Sequence, residues 1–231
     1  MKKIAIIPAR GGSKRVPRKN IKVFMGKPII SYSIETAIKS KLFDEVMVST
    51  DDREIALIAK EYGANVPFMR SMDNANDIAT TSDVLIEVIE KYKSELGNRY
   101  DVICCIYPTA PFITAAFLKN SFKQFNNEGA DTLISVKKYS SPPQRAFVFR
   151  RDQFIHISPE YRDIRSQDLE PYYHDAGMFY WLDVEVFCKY KNFTHGRVLP
   201  FILNEMESQD IDSKEDWALA EFKYQVLNSA K

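Results

Sequence analysis

Short apolar segments alternate with segments of helical periodicity along most of the chain. The short segments are rich in β-branched residues and predict strands at residues 3–8, 44–50, 65–69, 101–107, 132–136 and 198–203. The longer segments repeat apolar residues every three or four positions and predict helices at residues 28–41, 52–62, 81–96, 114–128 and 213–227. Such alternation predicts an α/β fold, with a Rossmann-like, mostly parallel sheet and helices on both faces.

The segment 138–181 interrupts the alternation with a proline pair and two short aromatic strands, predicted at residues 146–149 and 153–157. We interpret it as an insertion into an α/β domain made of residues 1–137 and 182–231. Two short strands rarely stand alone in water, so their apolar faces pack either on a second copy of the chain or on their own domain. The first alternative predicts a dimerisation element and a homodimer.

Positive charge is concentrated near the amino terminus, because residues 1–34 hold nine Lys and Arg and no Asp or Glu. The whole chain carries a formal net charge of +1, so the remainder carries 1 − 9 = −8. A basic cluster can indicate nucleic-acid binding, but no nucleic-acid motif is present and the whole-chain pI is about 7.6. The local charge therefore favours a small polyanion over a nucleic acid.

No apolar run is long enough to cross a membrane, and the first residues lead into a strand pattern without a signal-peptide cleavage site. We therefore expect a cytoplasmic protein with no membrane partner. The three cysteines match neither a disulfide framework nor a zinc-binding spacing.

The segment 9–20 is basic, contains glycine and directly follows the first predicted strand. Gly11 and Gly12 permit backbone geometries that aim N–H groups at a phosphate. Countercharge comes from Arg10, Lys14, Arg15, Arg18 and Lys19. The segment matches neither a Walker A loop nor the dinucleotide-binding glycine motif. It predicts a triphosphate site beyond the carboxyl end of the strand; the alternative is a solvated basic loop.

Two late aspartates, Asp210 and Asp212, are two positions apart. In an extended segment both carboxylates lie on one face, where they can hold Mg²⁺ together with phosphate oxygens. Helix capping is the alternative, because Asp212 and Glu215 have the spacing of a capping box ahead of the last predicted helix.

Four motifs occur in a fixed order along the chain. The first runs from Ile7 to Lys14 and is followed by Lys19-Asn20; the others are Val48-Ser49-Thr50-Asp51-Asp52, Pro108-Thr109-Ala110-Pro111 and Gln209-Asp210-Ile211-Asp212. Together they resemble the acylneuraminate cytidylyltransferases. The resemblance implies a fold of the nucleotide-diphospho-sugar transferase type and transfer of CMP from CTP to a keto-sugar acid, with Mg²⁺ as cofactor.

The resemblance also implies roles for individual residues. It implies CTP contacts for Ala9, Arg10, Gly11, Gly12, Ser13, Lys19, Asn20, Arg70 and Thr81. Catalytic roles are implied for Arg10, Lys19, Asp210 and Asp212, the last two as metal ligands. For Thr81 an alternative stays open, because it lies where a helix N-cap is expected.

Further phrases are similar to the branch of the family that activates pseudaminic acid. They are residues 105–112, 144–146, 165–169 and 173–177. Tyr107 stands where the sialic-acid enzymes usually have Gln, and His174-Asp175-Ala176-Gly177 stands where they have Arg-Pro-Asn-Gly. The sugar contacts are expected at Tyr107, Thr109, Gln144, Arg145, Arg165, Gln167, His174 and Asp175. Activation of N-acetylneuraminate, legionaminate or Kdo is an alternative, and a non-catalytic nucleotide-sensing protein is an alternative of another class.

Overall fold

A six-stranded sheet forms the centre of the computed structural model, which describes residues 1–229. The strands are β1 (Lys3–Pro8), β2 (Val23–Phe24), β3 (Lys27–Pro28), β4 (Glu45–Ser49), β5 (Val102–Ile106), β6 (Thr132–Lys138), β7 (Phe147–Arg150), β8 (Gln153–His156), β9 (Tyr173–Asp183) and β10 (Val198–Leu203). The main sheet has the order β10-β6-β9-β5-β1-β4, while β2-β3 and β7-β8 form two separate pairs. Only β9 runs antiparallel to its neighbours in the main sheet.

Six α-helices cover both faces of this sheet. They are α1 (Ile30–Ser40), α2 (Arg53–Glu61), α3 (Thr81–Glu95), α4 (Ala115–Asn127), α5 (Val184–Tyr190) and α6 (Lys214–Ser229). Side chains of β1 alternate between two buried clusters: Ile4 and Ile6 pack with α3 and α5, whereas Ala5 and Ile7 pack with the other four helices. The predicted α/β architecture is therefore confirmed.

Several predicted boundaries differ from the observed ones. The strand predicted at residues 65–69 is wrong, because only Asn65 forms an isolated bridge, to Met47. Pro67 has no N–H to donate, and the segment passes directly to Arg70, whose N–H bonds to Thr50 O at 2.8 Å. Helix α1 begins at Ile30 rather than at Pro28, since Pro28 pairs with Val23 in the β2-β3 ladder.

Strand β9 and helix α5 were not predicted. Residues 173–181, which were predicted to belong to the insertion, form part of β9 and pair with β5 and β6 in the main sheet. An antiparallel strand inside a parallel sheet needs no helical crossover, so the β-α alternation does not reveal it. Residues 139–172 lie outside the main sheet, and a hydrogen bond of 2.9 Å from Tyr139 N to Tyr172 O closes their base.

Within residues 1–229, no helix has the length and apolar character needed to cross a membrane.

The segment that precedes α3 is held by one carboxylate of that helix. Glu87 accepts hydrogen bonds from Ser71 N at 2.8 Å, from Ser71 Oγ at 2.9 Å and from Asn74 Nδ2 at 2.6 Å. It also pairs with Lys91 Nζ at 2.8 Å. Burial alone would raise the pKa of Glu87, but these donors outweigh it and lower the pKa to about 2.

The lowered pKa makes the contribution of Glu87 to stability depend on pH. The ionised form is stabilised by folding, so the contribution is complete above pH 4.5 and is lost as pH falls towards 2. We expect Glu87→Gln to lower the free energy of unfolding by about 1–2 kcal/mol at pH 7, after allowance for solvent screening. Urea denaturation measures this loss, which should shrink by about half or more at pH 3.

Glu90→Gln, an exposed change on the same helix, is the control and should leave the free energy of unfolding nearly unchanged. A Glu87→Gln deficit that stayed constant or grew on acidification would contradict the assigned pKa.

Candidate active site

The functional side chains lie at one edge of the main sheet. The carboxyl ends of β1, β4, β5, β6 and β10 meet there, and the antiparallel β9 begins at the same edge. Loops from widely separated parts of the sequence therefore converge beyond this edge, as the sequence analysis predicted for ligand binding.

A cavity of about 290 Å³ opens beyond β1 and β5. It brings together most of the residues predicted for the nucleotide: Arg10, Ser13, Lys19, Asn20, Arg70 and Thr81. Tyr107 and Thr109, predicted for the sugar, line the same cavity. Asp77, Ala79 and Thr80 also line it and were not predicted, because the irregular segment before α3 carries no recognisable motif.

The backbone N–H groups of Ala9 and Gly11 are bonded within the protein. Ala9 N donates to Ser49 O at 2.9 Å, and Gly11 N donates to Asp51 Oδ1 at 2.9 Å, so neither N–H group is left free for a phosphate. Glycine is required at position 11 for close approach, because a Cβ atom there would lie 2.6 Å from Asp52 Oδ2. Gly12 faces open space.

Arg18 anchors the basic segment rather than lining the cavity. Its guanidinium bonds to Asp52, the residue that caps α2, and to Glu54 Oε2 at 2.6 Å. The hydrogen bond to Asp52 raises the pKa of Arg18, and the same bond lowers the pKa of Asp52. Arg18, one of the five cations predicted to bind phosphate, therefore has a structural role.

Asn20 and Arg70 are the most deeply buried polar residues of the cavity. Asn20 Nδ2 donates to Arg10 O at 2.9 Å and so fixes the turn of the basic segment. Arg70 donates from Nη2 to Ser49 O at 2.5 Å and from Nε to Ser49 Oγ at 3.2 Å. Burial lowers the pKa of Arg70, but a guanidinium stays charged at neutral pH. The cavity thus has a fixed cation at its base.

The hydroxyl group of Thr81 is available to the site. Thr80, not Thr81, caps α3, in a capping box with Asp83, so the capping alternative for Thr81 is wrong. The Thr81 hydroxyl instead lies 3.3 Å from the Tyr107 hydroxyl. Burial raises the pKa of Tyr107, which keeps this phenol protonated at neutral pH.

Strand β9 carries a bulge at the edge of the site. Its register with β6 shifts between Ile134 and Val136, and the Ser135 hydroxyl accepts the freed N–H of Phe179 at 3.0 Å. Asp175 bonds to two other residues of the bulged segment. Its Oδ1 accepts from Gly177 N at 2.7 Å, and its Oδ2 accepts from the Tyr180 hydroxyl at 2.6 Å. Asp175 therefore holds the bulge, a role that the sequence did not indicate.

The bulge places Gly177 beside Asp210. Gly177 has φ +62°, and a Cβ atom there would lie 3.4 Å from Asp210 Cγ. Partial burial raises the pKa of Asp210, and nearby Asp212 raises it further. Carboxylates crowded in this way favour a bound cation, which would relieve their repulsion.

Asp210 and Asp212 flank Ile211, whose side chain is fully buried. Asp212 Oδ1 accepts from Arg15 Nη2 at 2.9 Å and from Lys19 Nζ at 3.2 Å. The predicted capping alternative for Asp212 is wrong, because Ser213 and Asp216 form the cap of α6 with reciprocal bonds of 2.8 and 3.1 Å. The carboxylate of Asp212 therefore does not cap α6 and can take part in the candidate site.

These two carboxylates fit a magnesium ion. Mg²⁺ prefers one or two carboxylates completed by water and phosphate oxygens over a cage made entirely of protein ligands. Residues 1–229 contain no group of three or more His, Cys, Asp or Glu side chains arranged for a metal.

The remaining residues predicted for the sugar lie away from the cavity. Gln144 is buried and donates from Nε2 to Glu170 O at 2.7 Å, so it holds the segment 139–172 together. Arg145 bonds to Ser166, Arg165 bonds to Asp168, and Gln167 is exposed. His174 packs on Tyr139, with 4.7 Å between ring centroids.

The comparisons with known proteins agree on the family. The profile of the family "Cytidylyltransferase" matches residues 4–194. The pseudaminic acid cytidylyltransferase of Campylobacter jejuni is 41% identical over 233 residues, which cover 98% of this chain and 97% of the relative. The CMP-N,N'-diacetyllegionaminic acid synthase of Legionella pneumophila is 33% identical, with 99% and 98% coverage.

Solved structures show the same fold at low sequence identity. A CMP:2-keto-3-deoxy-manno-octonic acid synthetase complexed with CTP has a TM-score of 0.70 and 18% identity, covering 99% of this chain and all of the other. The 4-diphosphocytidyl-2C-methyl-D-erythritol synthase of Anaerococcus prevotii has a TM-score of 0.69 and 14% identity, with 97% and 96% coverage. The full-length matches and the converging site residues show that the chain belongs to the cytidylyltransferase family.

Proposed function

We propose that this protein is a pseudaminic acid cytidylyltransferase, which converts CTP and pseudaminic acid to CMP-pseudaminic acid and pyrophosphate. The observation that carries the proposal is the gathering of Arg10, Lys19, Asn20, Arg70 and Thr81 around one cavity in a chain of this family. The 41% identity to the Campylobacter jejuni enzyme over nearly the whole chain supports the choice of sugar.

The reaction requires the anomeric hydroxyl of the sugar acid to attack the α-phosphorus of CTP in line with the leaving pyrophosphate. A P–O bond to the sugar forms, the P–O bond to pyrophosphate breaks, and the hydroxyl proton leaves to solvent or a base. No covalent enzyme intermediate is needed, so alignment and charge stabilisation carry the catalysis.

The nucleotide half of the site is assigned to β1, β4 and the start of α3. Asn20, Arg70 and Thr81 surround the base, where amide, guanidinium and hydroxyl groups can bond to the polar edge of cytosine. Arg10 and Lys19 bind the triphosphate, together with Ser13 at the turn of the segment. Hydrogen bonds already hold Asn20 and Arg70 in place, which favours preorganised binding.

Asp210 and Asp212 are the proposed magnesium ligands. When bound, Mg²⁺ supplies positive charge against the phosphate oxygens and helps to orient them. Lys19 Nζ bonds to Ile211 O at 2.6 Å as well as to Asp212, so this ammonium group links the aspartates to the phosphate-binding segment. Its charge remains available to the same oxygens.

The acceptor sugar is expected between Tyr107, Thr109 and the start of β9. Tyr107 and Thr109 line the cavity, and His174 and Asp175 begin β9 at the same edge of the sheet. Arg145 and Arg165 are candidates for the sugar carboxylate, from this chain or from a neighbouring subunit. Legionaminate, N-acetylneuraminate and Kdo remain the alternative acceptors.

A pyrophosphate-release assay tests the proposed function directly. With CTP and Mg²⁺, we expect release with pseudaminic acid to exceed release with legionaminic, N-acetylneuraminic and Kdo acids, because pockets that hydrogen-bond their ligand reject mismatched ones. Preference for another acid would overturn the choice of sugar, and no release with any acid would overturn the activity.

The metal assignment predicts a specific loss on substitution of the aspartates. Asp210→Asn and Asp212→Asn should each lower Mg²⁺-dependent pyrophosphate release by about 100-fold or more, since a metal ligand and its charge are lost. Glu215→Gln is the matched control, because Glu215 is exposed on the first turn of α6 and should be neutral. Full turnover by both aspartate variants would contradict the assignment.

We further propose that the protein forms a homodimer through β7 and β8. Phe147, Phe149, Phe154 and Ile157 on and beside this pair are between 55% and 74% exposed in the single chain. A two-stranded ribbon with such an apolar surface is marginal in water, and a second copy would bury it. We also propose a cytoplasmic location, in keeping with a biosynthetic enzyme that uses a nucleoside triphosphate.

The dimer proposal can be tested by light scattering. Phe149→Glu combined with Phe154→Glu should convert a dimer of the native chain to a monomer, because two buried charges per subunit oppose the interface. Leu57→Glu changes a side chain that is 69% exposed on α2 and should leave the dimer intact. A native chain that is monomeric at micromolar concentration would contradict the proposal.

A further inference from the structure

Asp77 pairs with Arg10, which is assigned to the triphosphate, and with Lys14, another cation predicted for the phosphates. Its Oδ1 lies 2.6 Å from Arg10 Nη1, and its Oδ2 bonds to Lys14 Nζ. Arg10 Nη1 also donates to Asn76 O at 3.3 Å. Asp77 and Arg10 both line the nucleotide cavity, so this carboxylate occupies phosphate-binding groups inside the site itself.

The local structure keeps Asp77 at this position. Asn76 Oδ1 accepts from Ile78 N at 2.8 Å and Ala79 N at 2.9 Å, and Asn76 Nδ2 donates to Asp73 O at 2.7 Å. These bonds close a compact turn around Asp77. The turn follows the segment that Glu87 anchors to α3.

A carboxylate and a phosphate compete for the same cations. Both are anions that accept charge-assisted hydrogen bonds from guanidinium and ammonium groups. Arg10 and Lys14 cannot give their full interaction to a phosphate while each remains paired with Asp77. A triphosphate or pyrophosphate carries more charge than one carboxylate, so it can displace Asp77, but part of its binding free energy is then spent on that exchange.

We propose that Asp77 is a competing anion in the nucleotide site, which weakens the binding of CTP and pyrophosphate by holding Arg10 and Lys14. The inference rests on the proposed function, because it takes these two cations as phosphate ligands. Asp77 recovers both cations when pyrophosphate leaves, which favours release of that product. The residue thereby sets the affinity of the site for its polyphosphate ligands.

The test is calorimetric titration of inorganic pyrophosphate into the full chain with EDTA present and without sugar. At low salt, about 50 mM NaCl, Asp77→Asn should bind pyrophosphate about three- to tenfold more tightly than the native chain. Asp77→Ala should behave in the same way, since either change removes the competing charge. The gain should shrink as salt is raised, because exposed charges are screened.

Asp73→Asn is the matched control. Asp73 is exposed in the same segment and forms no ion pair within residues 1–229, yet its substitution changes the net charge by the same amount. The affinity of the Asp73→Asn protein for pyrophosphate should stay within about twofold of that of the native chain. An equal gain in this control would mean that net charge, not competition at Arg10 and Lys14, explains the effect, and would overturn the proposal.

Equal or weaker binding by the folded Asp77 variants, or no measurable binding by any protein, also overturns it. Weaker binding would mark Asp77 as a structural tether of Arg10 instead of a competitor. The assay contains neither metal nor acceptor, so its result is independent of turnover. Tighter binding by Asp77→Asn in a protein that made no CMP-sugar would retain this inference while the proposed function failed.

Discussion

The backbone pairing of β9 between β5 and β6 determines where the functional side chains can lie. Because β9 runs against its neighbours, its first residues reach the edge at which the parallel strands end. Its bulge then directs Gly177 against Asp210, and Asp175 and the Tyr180 hydroxyl hold that bulge. The nucleotide cavity and the paired aspartates thus share one support: Tyr107 N bonds to Met178 O at 2.9 Å, and the Tyr107 ring packs on Tyr180.

The basic side chains around the site are neutralised by ion pairs with neighbouring aspartates. Asp77 holds Arg10 and Lys14, Asp212 holds Arg15 and Lys19, and Asp52 holds Arg18. Most of these side chains are exposed or only partly buried, so each pair adds little to stability. In the proposed function their importance lies in binding, because a polyphosphate ligand would have to exchange with some of them. Arg70 differs, since burial and two bonds to Ser49 fix it before any ligand arrives.

The sequence predicted those parts of the site that depend on local pattern. The segment after β1, Thr81 and the two aspartates follow from residue type, spacing and family resemblance, and the structure brings them to one edge. Long-range packing was not predictable in this way. Gly11 appeared to be a phosphate-binding glycine, but it is required by the approach of Asp52. Asp77 shows no local signal, although an excess of cations near one strand end implies that nearby acids will pair with them.

The two halves of the site rest on different kinds of structure. Most of the nucleotide residues lie in the segment that follows β1, Arg70 precedes α3, and Thr81 begins α3. The sheet register and two buried clusters fix the ends of these elements. Residues 139–172 lie outside that sheet and are tied to it at Tyr139 and Tyr172. Changes in this segment therefore disturb few core contacts, whereas changes around Asn20 or Arg70 disturb buried hydrogen bonds. With the acceptor contacts proposed for this segment, such an arrangement would let acceptor specificity vary while the use of CTP stays constant, since substitutions outside the core cost the fold less.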